Sequence, residues 1–161
     1  LARGIDSFSH IGAICGKLEE NTKNVDNLST DKKRLNIGNT IAVVGTGLDR
    51  VYPDENRYLE EQIIKTGGAV ISEYPLGTKP EKMNFPARNR IISGISSGIL
   101  VVEAKEKSGT LITVDFALEQ GRDVFVVPGN INSINSVGTN NLIKQGAKLV
   151  TNYKEIILNF L

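Results

Sequence analysis

The chain's 161 residues carry 19 Lys and Arg against 18 Asp and Glu, for a formal net charge of +1, with 40% hydrophobic and 23% charged residues. That composition is ordinary for a globular domain and excludes a polyanion binder working through a globally basic surface, so any such binding must come from local clusters. The single cysteine, Cys15, excludes an internal disulfide and fits a reducing, cytoplasmic setting; no apolar run approaches the ~20 residues of a membrane span.

Residues 1–6 read LARGID, a small-residue turn entering a helix, with Asp6 or Ser7 as the expected N-cap. The helix should reach about residue 18, with Phe8, Ile11, Ile14 and Leu18 on its buried side. Arg3 and Gly4 stand just before it, so Arg3 is either a phosphate contact at a helix start or a solvated side chain. Residues 19–39 are polar and lack sustained periodicity, and read as an insertion or mobile loop inside one domain spanning 1–161. Their Lys32-Lys33-Arg34 run is either a solvated patch or a DNA contact.

A strand over 40–44 runs into Gly45-Thr46-Gly47, where glycine allows a sharp turn and close approach to a ligand. The third glycine of the dinucleotide fingerprint is absent from this run, GTGLDR, so as a nucleotide site it is weak. A loop follows with Tyr52, which either stacks on a base or packs against the next helix, expected over 55–66 and ended by Gly67-Gly68. A second strand is expected over 69–74, then a loop marked by Pro75 and Gly77.

The stretch 82–113 holds the strongest local signal. Phe85, Arg88 and Arg90 stand at a helix start with Pro86 in its first turn, and Ile91, Ile92 and Ile95 form its buried face. The apolar strand over 99–102 reads as covered on both faces. Ser108-Gly109-Thr110 is a small-residue turn opening another helix, expected over 113–120 and ended by Gly121. Free N–H groups at a helix start with arginines nearby make an anion site, and the aromatic beside them makes it a candidate for nucleic acid. Phe85 either stacks on a base or packs in the core, and Arg90 either faces the ligand or pairs with Glu103 or Asp115. A strand over 123–127 stops at Pro128-Gly129. A polar loop, a helix over 142–145, a short strand over 148–150 and a helix over 154–161 close the chain.

Strands near 41, 70, 100, 125 and 149 alternating with helices predict an α/β fold with a doubly wound, mostly parallel sheet. Ligands then sit at the carboxyl ends of the strands, where 45–47, 108–110 and 128–129 all fall. His10, the only histidine, has no partner by spacing, Cys15 reads as a small core residue, and no metal or cofactor constellation is present.

The runs ARGID at 2–6, GxGLDxxYPxEN at 45–56, SEYPxG at 72–77 and FPxRNRIISG at 85–94 form a connected signature. VVEAxxxSGxLIT at 101–113, ALEQGR at 117–122, VPG at 127–129 and GTNxLIxxGAxxV at 138–150 continue it. Over nearly its whole length the chain resembles the DNA-processing protein A family (DprA, also called Smf). The resemblance implies an extended Rossmann fold, with the first strand and the turn before Leu1 missing from a chain that is a piece of a longer protein. It implies single-stranded DNA as ligand, protection of incoming DNA in natural transformation, loading of the RecA recombinase, and a homodimer. By motif match, Arg3 belongs to the first phosphate-binding loop, and Gly4, Gly45 and Gly47 are counted with it as DNA-binding residues. Lys82 and Phe85 lie on the approach to the DNA pocket, Arg88, Asn89 and Arg90 beside it, and Ser108, Gly109 and Thr110 form the backbone cradle.

No catalytic residue is expected. The alternative is a nucleotide-hydrolysing enzyme of the lysine-decarboxylase-like type, whose signature is PGGxGTxxE; here the position of its acid is Thr113, so the general acid–base group is missing. A protein-binding scaffold is the third reading.

Overall fold

The computed structural model describes the backbone of residues 1–23 and 40–161 and the side chains of 1–16 and 40–161. The expected basic run at 32–34, and the expected insertion beyond residue 23, lie outside the described residues. The chain divides into two compact units, Leu1–Asn84 and Phe85–Leu161. All five expected strands form, and every pairing among them is parallel.

In the first unit, helix α1 (Ile5–Lys23) precedes strand β1 (Ile41–Val43), helix α2 (Arg57–Lys65) and strand β2 (Ala69–Ile71). β1 pairs with β2 in the register Ile41↔Ala69. The core joins Leu1, Ile14, Ala42, Val44, Leu59 and Ile63. Gly68 is fixed here by space: a Cβ would collide with the Thr40 carbonyl oxygen and lie 2.8 Å from that of Ile63.

α1 departs from expectation in three ways. It begins at Ile5, so neither Asp6 nor Ser7 is the N-cap; both sit in the first turn and reach back, Asp6 accepting the Ala2 N–H at 2.6 Å and Ser7 donating to the Ala2 carbonyl at 2.6 Å. It continues to Lys23 and so takes in residues read as the start of the insertion. Among its described side chains the buried ones are His10 and Ile14, while Phe8 is 67% and Ile11 43% exposed; the side chain of Leu18 lies outside the described residues. At 3.6 residues per turn, positions 8 and 10 stand roughly 200° apart, so one helix face cannot bury both. His10 is held by a 2.6 Å hydrogen bond between its Nδ1 and the Thr40 hydroxyl. Cys15, read as a core residue, is exposed.

In the second unit, helix α3 (Asn84–Gly94) leads to strand β3 (Gly98–Val101), helix α4 (Gly109–Glu119), strand β4 (Asp123–Val126), helix α5 (Val137–Lys144), strand β5 (Lys148–Leu149) and helix α6 (Tyr153–Ile157). The sheet order is β3-β4-β5. Val101, Ala104, Val114, Ala117, Val124, Val126 and Leu142 form the core. Successive strand residues face opposite sides, and β3 is covered unevenly: Val101 is 1% exposed but Leu100 45%.

Two helices start earlier than the sequence suggests. α4 begins at Gly109 because Ser108 caps it, and α5 begins at Val137, so Gly138 to Asn141 are helical and not loop. On α3 the buried side centres on Ser93, 0% exposed, and not on Ile95, which lies past the helix end and is 55% exposed. No helix among the described residues is long and apolar enough to cross a membrane.

Candidate nucleic-acid interface

The first unit brings ARGID and YPxEN together. Gly4 has φ +81°, a conformation that L side chains rarely adopt, so the tight turn before α1 depends on glycine. Arg3 projects from that turn and meets Glu55 edge to edge: Nε donates to Oε1 at 2.7 Å and Nη2 to Oε2 at 3.0 Å. The pair holds the Glu55 carboxyl below its ordinary range and the Arg3 guanidinium above its own, chiefly through the side-chain hydrogen bond. Both side chains are exposed, 72% and 55%. Next to it, Asn56 Nδ2 donates to the Leu1 carbonyl at 2.9 Å and to the Ser7 hydroxyl at 3.0 Å, fastening the turn independently of the ion pair.

Gly45 and Gly47 are buried. Asn84 Nδ2 donates to the Gly45 carbonyl at 3.0 Å, and the Gly47 N–H donates to the Thr78 carbonyl at 3.1 Å. A Cβ on Gly47 would lie 2.6 Å from the Pro75 carbonyl oxygen and 3.0 Å from the Gly77 nitrogen. Glycine therefore lets the loop after β1 nest against the SEYPxG loop, which Asp49 Oδ1 also holds by accepting the Gly77 N–H at 2.7 Å. Lys82 is exposed, two residues before α3, and Tyr52 is 47% exposed.

In the second unit, the Arg88 guanidinium carbon stands 6.0 Å from the centroid of the Phe85 ring, within cation–π reach. Arg88 Nε donates to Asn89 Oδ1 at 3.2 Å. Phe85, Arg88 and Asn89 are half-buried and Arg90 is exposed. Phe85 and Arg88 thus place a flat group and a delocalised cation side by side. The C-terminal half of α3 is anchored by the ALEQGR segment. Ser93 Oγ donates to Gln120 Oε1 at 2.6 Å, Gln120 Nε2 to the Arg90 carbonyl at 3.0 Å, and Arg122 Nη2 to the Gly94 carbonyl at 2.7 Å.

Ser108 takes extended backbone geometry and accepts the Thr110 N–H on its hydroxyl at 3.2 Å, while the Leu111 N–H turns back to the Ser108 carbonyl at 3.0 Å. Of the expected cradle, the Thr110 amide therefore serves the cap. Gly109 is exposed, with open space where a Cβ would stand.

The carboxyl ends of β3 and β4 are locked to α5. The Gly138 N–H donates to the Ala104 carbonyl at 2.8 Å and the Ala104 N–H to the Asn135 carbonyl at 2.9 Å. The Asn140 side-chain amide pairs both ways with the Gly129 backbone, at 3.3 and 3.1 Å. Glu103 and Asp115, named above as possible partners of Arg90, are both exposed.

The units thus gather the predicted residues into two local groups, Arg3 with Gly4 and Phe85 with Arg88 and Asn89. Sequence reasoning missed the polar side chains that organise them: Glu55, Asn56, Asn84, Gln120 and Asn140. Four of these, all but Asn84, stood inside the quoted motifs, which was the available signal; nothing in their spacing gave the partner.

Comparison with known proteins places this geometry. The model of the family described as DNA recombination-mediator protein A matches residues 1–161. The DNA processing protein DprA of Streptococcus pneumoniae is 44% identical over 160 residues, covering 99% of this chain and 49% of that protein. Protein Smf of Escherichia coli is 45% identical over 159 residues, covering 99% of this chain and 37% of its own length. This chain therefore spans half or less of these two relatives. Among solved structures, DprA from Streptococcus pneumoniae superposes with a TM-score of 0.69 at 50% identity, over 75% of this chain and 42% of that one. DNA processing protein A from Helicobacter pylori, described as having a unique single-stranded DNA binding mode, superposes with a TM-score of 0.68 at 32% identity, over 75% and 55%.

Proposed function

The chain belongs to the DNA recombination-mediator protein A (DprA/Smf) family, and from that membership we propose that it binds single-stranded DNA through its sugar–phosphate backbone. The observation that carries the reading is the Phe85–Arg88 platform at the start of α3. Binding an unpaired strand without sequence preference calls for flat surfaces for bases and cations for phosphates. One base stacked on such a platform contributes about 1–3 kcal/mol by alanine comparison. In the same unit, exposed Arg90 supplies further charge and Gly109 offers main-chain approach at the start of α4, while Arg3 and Lys82 are exposed cations of the first unit. With a net charge of only +1, the affinity rests on these few cations and falls steeply as salt rises.

In this reading the protein coats incoming DNA, passes it to a RecA recombinase and works as a homodimer, in which two copies lengthen the track and add avidity. The support is the family membership and the Helicobacter pylori relative's described ligand.

Fluorescence anisotropy with a labelled unstructured oligonucleotide tests the site. Arg88→Ala and Lys82→Ala each weaken binding while the far-ultraviolet circular dichroism spectrum is unchanged. Wild-type affinity in both variants removes these residues from the site.

A further inference from the structure

We propose that Glu55 tunes DNA affinity by occupying the guanidinium fork of Arg3, so that a phosphodiester must displace a carboxylate to reach it. The inference rests on the reading above that Arg3 meets phosphate. The fork formed by Nε and Nη2 is filled by the two Glu55 oxygens at 2.7 and 3.0 Å, the same two-point geometry by which arginine takes a phosphate. Two ligands cannot hold that edge together, so carboxylate and phosphate compete for it.

A purely structural brace would be expected to be buried or to be the sole tie at its position, and this pair is neither. Both side chains are exposed, and an exposed ion pair contributes little to stability. The turn that carries Arg3 is held by Asn56, through the Leu1 carbonyl and the Ser7 hydroxyl. What Glu55 changes is the availability of Arg3. With Glu55 in place the guanidinium is oriented and its charge offset, so a phosphate gains only the difference between two anions. With the carboxylate removed, the full charge-assisted contact is open.

The test is a set of oligonucleotide titrations at low salt on wild type, Glu55→Gln, Arg3→Gln, the double variant and Asp54→Asn. Asp54 is the neighbouring acid, paired with Arg57 at 3.2 Å, so its neutralisation changes the net charge equally and leaves the Arg3 pair intact. The expected result is that Glu55→Gln binds unstructured oligo(dT) about two- to fivefold more tightly, the range set by an exposed ion pair. Asp54→Asn gains less, and the gain of Glu55→Gln disappears when Arg3 is also replaced. Equal or weaker binding by Glu55→Gln, a gain no larger than that of Asp54→Asn, or a gain that survives in the double variant each overturns the proposal. Wild-type affinity in Arg3→Gln also overturns it while leaving DNA binding in place. Failure of the wild type itself to bind removes the proposed function together with this inference.

Discussion

Replacing Gly138 by alanine puts the packing argument at the sheet rim to a test of sign. Gly138 lies within the first turn of α5, where intrinsic propensity favours alanine over glycine by about 1 kcal/mol. The surroundings oppose it. A Cβ at 138 would stand 2.6 Å from the Lys105 carbonyl oxygen, 2.7 Å from that of Ala104 and 2.9 Å from the Ala104 Cβ. Two of these atoms are main chain, so relief requires moving a loop or the helix, which costs about 1–3 kcal/mol by analogy with overpacked cores. The movement also stretches the Gly138 N–H to Ala104 carbonyl bond, worth about 1 kcal/mol. After the propensity gain is subtracted, the variant is destabilised by about 1–3 kcal/mol, at roughly 2–4 °C of melting temperature per kcal/mol for a chain of this size. Gly12, in the middle of α1 and with nothing within 4 Å of its added Cβ, supplies the contrast: Gly12→Ala gains about 0.5–1 kcal/mol. Urea and thermal unfolding followed by circular dichroism measure both. A Gly138→Ala variant as stable as wild type, or more so, refutes the close approach of α5 to the 104–105 backbone.

Ser108→Ala removes the hydroxyl that accepts the Thr110 N–H and lowers stability by about 0.5–2 kcal/mol in urea unfolding, whereas Ser108→Asp keeps a cap and restores most of it. His10 titrates below the ordinary histidine range because burial disfavours its charged form. Its folded pKa is depressed, so the unfolded chain binds the extra proton first, and stability falls as pH drops from about 6.5 toward the folded value, by at most ~1.4 kcal/mol per pH unit. Because His10 is the only histidine, His10→Gln should flatten that slope between pH 7 and the onset of carboxylate titration, as read by urea midpoints across pH. Lys148→Met removes the hydrogen bond that does most to hold the Asp123 carboxyl below its usual range, and an NMR titration of Asp123 should move upward.

The strands and their direction were legible because each is a short apolar run between glycine- or proline-marked turns and helical segments, which leaves parallel pairing as the consistent solution. The family was legible in motifs such as FPxRNRIISG and SGxLIT. The side of α1 that turns inward was not, since apolar residues at 8, 11 and 14 offer competing faces and the choice fell to a histidine whose partner, Thr40, lies 30 residues away. The start of α5 was hidden for a related reason. Gly138 reads locally as a helix breaker, yet its role is to let the helix approach the chain after β3, a contact spanning over thirty residues. At the candidate site, the cations and the aromatic could be listed from sequence, but the state of each is set by tertiary contacts. Arg3 is matched to a carboxylate 52 positions away, the Gly45 carbonyl accepts from the Asn84 side chain, and the Gly47 N–H is tied to the loop after β2.

The most direct test of the account is a salt series of binding isotherms comparing a single-stranded oligonucleotide with the same sequence as a duplex. Tighter binding of the single strand is expected at every salt concentration, with log affinity falling linearly in log salt at a slope of about −0.7 for each phosphate contacted. Equal affinity for the duplex, or single-strand binding that does not change with salt, would contradict it.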